Sequence, residues 1–496
     1  MLHLLLAGHM ARSTLPPQAH AAPERATADI SSRETCDVAV AGAGPGGIYF
    51  AWRLLSAQPS LSLCMYERSE RFGGRIYTLR GLGPRGDLTA DMGAYRFANR
   101  PTDIAGFDYV YTPLVAALVE EALKLPFSKY DPGDPSSYMQ KIVDSDGQNA
   151  GFRTFVESMM AQLRSFGSRF TLNFHEELVS VQPAAFPGAP VVLGFASGRT
   201  VAASHALLNL PVLPLLKVLD GSEALLRDGV PPALQTPSPM DGVKLYVHYS
   251  NAWWRNILNL TSGVFGFSML NTSVTNTGQL PEFSGRYHDG HTRCDGSKGA
   301  ECRGFLEATY TYNLPARWFL NHQLNTDPPY TVLNYSVPTG KFSLDLIHEA
   351  LLNYHKTALS KVEGFNATAF VQAMRPEFAL LSYWGPQTPG YGGAVHLTKS
   401  GSFVNETDLA SLAMKPFPNQ SIYVANEAYG ALRGLDGALG ENHGWAECSL
   451  VMAENILTGH FGLSPPRWIN ASTYDEYVRF HDSTEARMRR GGWRQG

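Results

Sequence analysis

The chain has 496 residues, 44% hydrophobic and 17% charged, with a formal net charge of −4. That length supports two or three packed layers and more than one domain, and the near-neutral balance excludes the basic surface of a nucleic-acid-binding protein. No apolar run reaches the ~20 residues of a transmembrane helix, and neither a CxxC pair nor a histidine cluster marks a metal site.

Residues 1–33 have the layout of a short signal peptide and linker: an apolar start from Met1 to Ala7, then a Pro/Ala/Ser-rich stretch up to Arg33. The start lacks basic residues and His9 interrupts it, so a disordered leader is the alternative. From Cys36 the pattern becomes regular. Val38 to Ala41 reads as a buried strand, Gly42-Ala43-Gly44-Pro45-Gly46-Gly47 as a glycine-rich turn, Ile48 to Leu55 as a helix, and Leu61 to Tyr66 as a second strand closed by Glu67. This is a βαβ unit with a dinucleotide fingerprint. Gly42 permits the tight turn, Gly44 lets backbone approach a pyrophosphate, Gly46 belongs to the same cofactor-binding turn, and Gly47 lets helix and sheet pack closely. The pyrophosphate sits on the helix N-terminus, where unpaired N–H groups favour negative charge. Glu67, about twenty positions beyond Gly47, is placed to accept from ribose hydroxyls and disfavours a 2′-phosphate.

Beyond Arg96, Pro113 to Leu123 reads as a helix and Gly151 to Leu163 as an amphipathic segment. His175 to Val181 and Ala203 to Leu210, the latter ending at Pro211, read as strands that extend the first sheet. From Met240 to about Lys415 the chain is rich in aromatics, Gly, Pro and Asn and reads as short strands and long loops of a substrate domain. Ser421 to Ala425 is again a buried strand, followed by Asn426-Glu427, a glycine-rich loop, a helix from Trp445 to Leu457, and a peripheral tail from Ser464. The expected class is α/β: a discontinuous Rossmann-like dinucleotide domain (34–97, 151–212, 416–462) with a mixed α+β substrate-binding domain (213–415). Residues 98–150 form a helical substrate segment, and 463–496 a C-terminal tail. Seven sequons, starting at Asn259, Asn271, Asn334, Asn366, Asn405, Asn419 and Asn470, favour a secretory route. Of five cysteines, Cys294 and Cys302 share a polar loop, as a small disulfide or as two free thiols.

The run Glu67-Arg68-Ser69-Glu70-Arg71-Phe72-Gly73-Gly74-Arg75 goes beyond what a nicotinamide dehydrogenase needs and resembles the flavin-containing amine oxidases. That resemblance implies FAD, with Arg75 near its phosphates. Ala90-Asp91-Met92-Gly93-Ala94-Tyr95-Arg96-Phe97 looks like the second flavin-proximal segment of the L-amino-acid oxidase subgroup, where Tyr95 and Arg96 lie at the cofactor and Arg96 also holds the substrate α-carboxylate. A planar guanidinium suits that task because it donates two parallel hydrogen bonds; a structural ion pair is the alternative. Glu427 resembles the acidic residue of the family's Gly-Glu pair, although Asn426 replaces the glycine, and His443-Gly444-Trp445 resembles the His-Gly-Trp of secreted members. By this resemblance Gly444 offers a carbonyl to the substrate amine, Trp445 walls the site, and Ala446 and Ser449 approach the flavin. Lys244 resembles the lysine that holds a catalytic water near the flavin, Trp384 a tryptophan beside the ring system, and Val179 a backbone contact to adenine.

The activity so implied is oxidative deamination of L-amino acids to 2-oxo acids, ammonia and hydrogen peroxide, with dioxygen as acceptor and His443 and His396 as candidate bases. Cys448 lies past the region where monoamine oxidases attach flavin, so noncovalent FAD is expected. The chain departs from venom-type members between Arg96 and Val179, where it is shorter, and from Ala428 to Asn442, where it is longer. Oxidation of amines or polyamines, or a secreted flavoprotein without turnover, are the alternatives. Neither the preferred side chain nor the oligomeric state is readable.

Overall fold

The computed structural model describes residues 34–104, 107–267, 283–287, 291–295, 301–312, 316, 317, 319, 330–334, 344–362, 375–388, 390–398, 406–430, 432 and 444–480. In chain order, β1 (Glu34–Ala41), α1 (Pro45–Ala57) and β2 (Leu63–Tyr66) form the βαβ unit, and α2 (Pro113–Ala117) and α3 (Arg153–Ser165) follow. β3 (Phe170–Asn173), β4 (Leu178–Gln182), β5 (Val191–Phe195) and β6 (Thr200–Leu208) then join the first sheet, in the order β3-β2-β1-β6-β5-β4. β1 pairs in parallel with β2 and β6, so Ala39 lies between Cys64 and Ala206. Val38, Ala39 and Val40 are fully buried, the small and β-branched pattern of a strand covered on both faces. β4 and β5 fold back antiparallel on the first half of β6.

The second sheet is antiparallel and centres on β7 (Gly242–Tyr249), every residue of which is buried. β8 (Glu301–Tyr312) lies on one side of it; α4 (Leu344–Leu359) follows in the chain, and β9 (Phe378–Trp384) takes the other side. The expectation of short strands and loops here needs correcting. β8 runs for 12 residues and α4 for 16, with Leu344, Ile347, Leu351, His355 and Leu359 buried at helical spacing. Cys294 lies directly opposite Cys302 in the sheet, and the two form a disulfide; a second disulfide, Cys36–Cys64, joins β1 to β2.

β10 (Ile422–Val424) returns to the first sheet and pairs in parallel with the second half of β6. α5 (Ala446–His460) then packs across α1. Their contact is pinned by a buried group: Glu454 pairs with Arg53 (3.0 Å) and accepts from the Tyr49 hydroxyl (2.7 Å). The stretch from Ser464 is not peripheral up to residue 480. Tyr474 and Val478 are buried, and Asn455 of α5 donates to the Val478 carbonyl (2.7 Å) and accepts from the Phe480 N–H (2.8 Å). The strand expected from His175 starts only at Leu178, because His175 takes a positive φ of 59° and leaves the extended region.

Candidate active site

The carboxyl ends of β1, β2 and β6 open onto a crevice of about 330 Å³, the place where open α/β sheets bind ligands. Gly42 has φ +98°, and a Cβ there would stand 2.6 Å from the Asn209 carbonyl oxygen. A Cβ on Gly47 would stand 2.4 Å from the Gly42 carbonyl oxygen, so the helix-to-strand approach needs a glycine. Gly44 lines the crevice at the N-cap of α1, where no side chain caps the helix and the first-turn N–H groups are left to an anion. Gly46 packs on Ser449 instead, and neither Gly46 nor Gly47 lines the crevice.

Glu67 lines the crevice and also braces the glycine loop. Its Oε2 accepts the Ala43 N–H (2.9 Å), and its Oε1 accepts the N–H and hydroxyl of Ser69 (both 2.9 Å). Asn209, which no sequence motif marks, donates from Nδ2 to the Gly42 carbonyl (3.1 Å) and lines the crevice. Its position just after a parallel strand and before Pro211 is the signal that could have found it. Val179 does not line the crevice; it sits at a register shift of β4, and its neighbours Glu176, Glu177 and Leu178 form the wall.

Arg75 and Glu427 both line the crevice and meet at 2.6 Å. The Glu427 carboxylate also accepts from the His396 backbone (3.1 Å) and lies 2.9 Å from His396 Nδ1. The Arg75 guanidinium is thus engaged by a carboxylate on the crevice wall. His396 is fully buried and lines neither this crevice nor the adjoining cavity. His443 lies outside the described residues, as do Gly434, Gly437 and Gly440.

A smaller cavity, about 40 Å³, shares Arg75, Ala394 and Gly444 with the crevice and is lined by Lys244 and Trp384. Lys244 comes from the centre of β7 and donates to the carbonyls of Asp91 (3.1 Å) and Gly93 (2.7 Å), with its ammonium 3.3 Å from the Tyr95 ring centre. Trp384 donates from its indole N–H to the Met92 carbonyl (2.8 Å). Gly444 has φ +92°, and Trp445 caps α5 in extended conformation; both line the crevice with Ala446 and Ser449.

Arg96 is partly buried among rings. Its guanidinium lies 5.0 Å from the Tyr95 and Tyr130 ring centres and 5.9 Å from that of Trp445. Among the described residues it has no carboxylate partner and no hydrogen bond. The ion pair considered from the sequence is therefore not formed with any of them. Tyr130 and Arg286, which donates to the Tyr95 hydroxyl (2.7 Å), were not singled out in the sequence.

The comparisons with known proteins agree on the fold. The family model of the NAD(P)-binding Rossmann-like domain matches residues 40–106. A triple mutant of putrescine oxidase with redesigned cofactor binding is similar at 12% identity, over 87% of this chain and 100% of that one, with a TM-score of 0.53. A putative protoporphyrinogen oxidase from Exiguobacterium sp. 255-15 is similar at 10% identity, over 86% and 98%, with a TM-score of 0.51. The chain shares the fold of these oxidases. No curated protein sequence matches it.

Proposed function

We propose that this protein is an FAD-dependent oxidase that converts L-amino acids to 2-oxo acids and ammonia, with dioxygen reduced to hydrogen peroxide. The observation that carries the reading is Arg96: a guanidinium with no carboxylate partner among the described residues, ringed by Tyr95, Tyr130 and Trp445. A cation held in such surroundings is stabilised by a ligand carboxylate that accepts two parallel N–H bonds.

The crevice suits FAD, with the uncapped start of α1 for its pyrophosphate, Glu67 for its ribose, and a continuation past Gly444 into the Lys244 cavity. Bound there, FAD would accept two electrons from the substrate and pass them to dioxygen. The chain's own residues place the reactants. Arg96 holds the carboxylate, Gly444 and Trp445 border the amine, Trp384 closes the far side, and Lys244 keeps a donor beside the reacting region. Noncovalent binding is supported by Cys448, which is in neither disulfide and is buried, its thiol pushed well above its ordinary range by burial.

Peroxide release from L-leucine, L-lysine, benzylamine and spermine tests the reading, which predicts turnover of the amino acids. Turnover of the amines alone would overturn it. That second reading, an oxidase for amines without a carboxylate, is supported by the fold likeness to putrescine oxidase. A secretory location is part of the proposal. It is supported by the two disulfides and by the exposed sequons at Asn259, Asn419 and Asn470.

A further inference from the structure

The first turn of α5 carries a buried acid that the chemistry above does not use. Glu447 is 2% exposed and has no cationic partner among the described residues. Its Oε1 accepts the N–H of Leu114 (2.8 Å) and its Oε2 that of Val115 (2.7 Å). These are first-turn donors of α2, whose own N-cap, Thr112, makes no capping bond. The Thr112 hydroxyl is used elsewhere: it accepts from the Ala98 N–H (2.8 Å) and donates to the Ala98 carbonyl (3.0 Å), while the Thr112 N–H also reaches that carbonyl (3.1 Å).

The bonds form one continuous path. Arg96 is followed directly by the short strand Phe97–Ala98, Ala98 is fastened to Thr112, Thr112 leads into Leu114 and Val115, and these are fastened to Glu447, two residues after Trp445. Trp445 closes the ring of groups around Arg96, at 5.9 Å. Burial pushes the Glu447 carboxyl up to about 8 against the opposing pull of the Val115 and Leu114 N–H groups, so a costly acid is kept at this joint. A carboxyl fits the pair of donors whether ionised or protonated, because its hydroxyl oxygen, like its carbonyl oxygen, keeps a lone pair for an N–H. A carboxamide does not, because either orientation turns an N–H₂ group toward an N–H.

We propose that Glu447 is a positioning residue that clasps the start of α5 to the segment bearing Arg96, holding the Trp445 wall and the Arg96 guanidinium at a fixed spacing. For its consequence on substrate this rests on the carboxylate role of Arg96; the clasp itself does not.

Hydrogen–deuterium exchange on the FAD-loaded protein reads the clasp directly. Glu447→Gln is expected to raise exchange at both Tyr95–Ala98 and Gly444–Ser449 while α1 stays at the wild-type rate. Wild-type protection of Tyr95–Ala98 in that variant overturns the proposal. Titration with benzoate, a carboxylate without an oxidisable amine, followed by the visible flavin spectrum, reads the consequence. Glu447→Gln should weaken benzoate roughly tenfold, a loss typical of a misplaced binding group. In an Arg96→Lys background the same change should add little further, whereas a full additional loss overturns positioning through Arg96. If wild-type protein gives no benzoate response, the carboxylate reading fails and the exchange result alone decides the clasp. Should Glu447→Gln not fold, Glu447→Asp keeps the carboxyl one methylene shorter; it should show the same paired rise in exchange, and its absence overturns the proposal.

Discussion

Replacing Arg96 by alanine removes a guanidinium whose neighbours among the described residues are aromatic rings rather than acids. If that group holds the substrate carboxylate, the loss is two hydrogen bonds to a charged group, each worth about 1.5–3 kcal/mol, or roughly 3–6 kcal/mol together. At about 1.4 kcal/mol per tenfold, kcat/KM for L-amino acids should fall by roughly 10²–10⁴. The contacts to Tyr95 and Tyr130, about 0.5–1 kcal/mol each, are also lost, but a partly buried charge with no carboxylate partner among the described residues goes with them, so thermal stability should move little. FAD should stay bound, because Arg96 does not line the crevice. The assay is peroxide-coupled turnover of L-leucine and L-phenylalanine beside benzylamine, at matched flavin absorbance. An amino-acid kcat/KM within about twofold of wild type refutes the reasoning, and so does an equal loss with benzylamine.

Lys244→Met should lower oxygen uptake at least ~10-fold at matched flavin content, since it deletes the ammonium that lines the cavity and donates to the Asp91 and Gly93 carbonyls; wild-type uptake would exclude a role for the amine. Glu454→Ala leaves Arg53 buried without its partner and should cost about 3–5 kcal/mol in urea unfolding, with a loss below about 1 kcal/mol counting against that pairing. Glu447 gives a pH dependence with a definite sign. Its carboxyl, ordinarily 4.5, is pushed up to about 8 by burial, so between these values the native state binds the extra proton. Stability is then fully present below 4.5 and declines as pH rises through 8, by at most ~1.4 kcal/mol per unit. Tyr111 and Cys448, which feel its charge, are both raised by burial and stay neutral across that window. Unfolding from pH 5 to 9 should give a shallower slope for Glu447→Gln than for wild type; parallel slopes would contradict the assignment.

The βαβ unit was legible because each of its parts is local: strand, Gly42 turn, α1 and β2 follow one another within the reach of simple periodicities. Elsewhere composition misled. The aromatic and glycine-rich stretch hid α4, whose apolar residues at Leu344, Ile347 and Leu351 do carry a helical repeat. Polar residues beyond Ser464 hid Tyr474 and Val478, whose burial depends on Asn455 and Glu454 of α5. The Cys294–Cys302 bridge could be read as one of two options from proximity in the chain. Cys36–Cys64 could not, since its sulfurs meet only once β1 and β2 lie side by side.

Sequence alone determined the dinucleotide crevice, because a tight turn, a close helix approach and an acidic strand end are demands on neighbouring residues that only certain side chains meet. Tertiary structure alone decided which groups meet around Arg96 and around Lys244. Tyr130 and Trp445 meet at Arg96, and Lys244 and Trp384 meet at the small cavity, each pair from separate parts of the chain. It also decided that Arg75 faces Glu427 and that Glu447 reaches α2. Such contacts arise where buried polar groups must find partners across the core, and no local periodicity records which partner that will be.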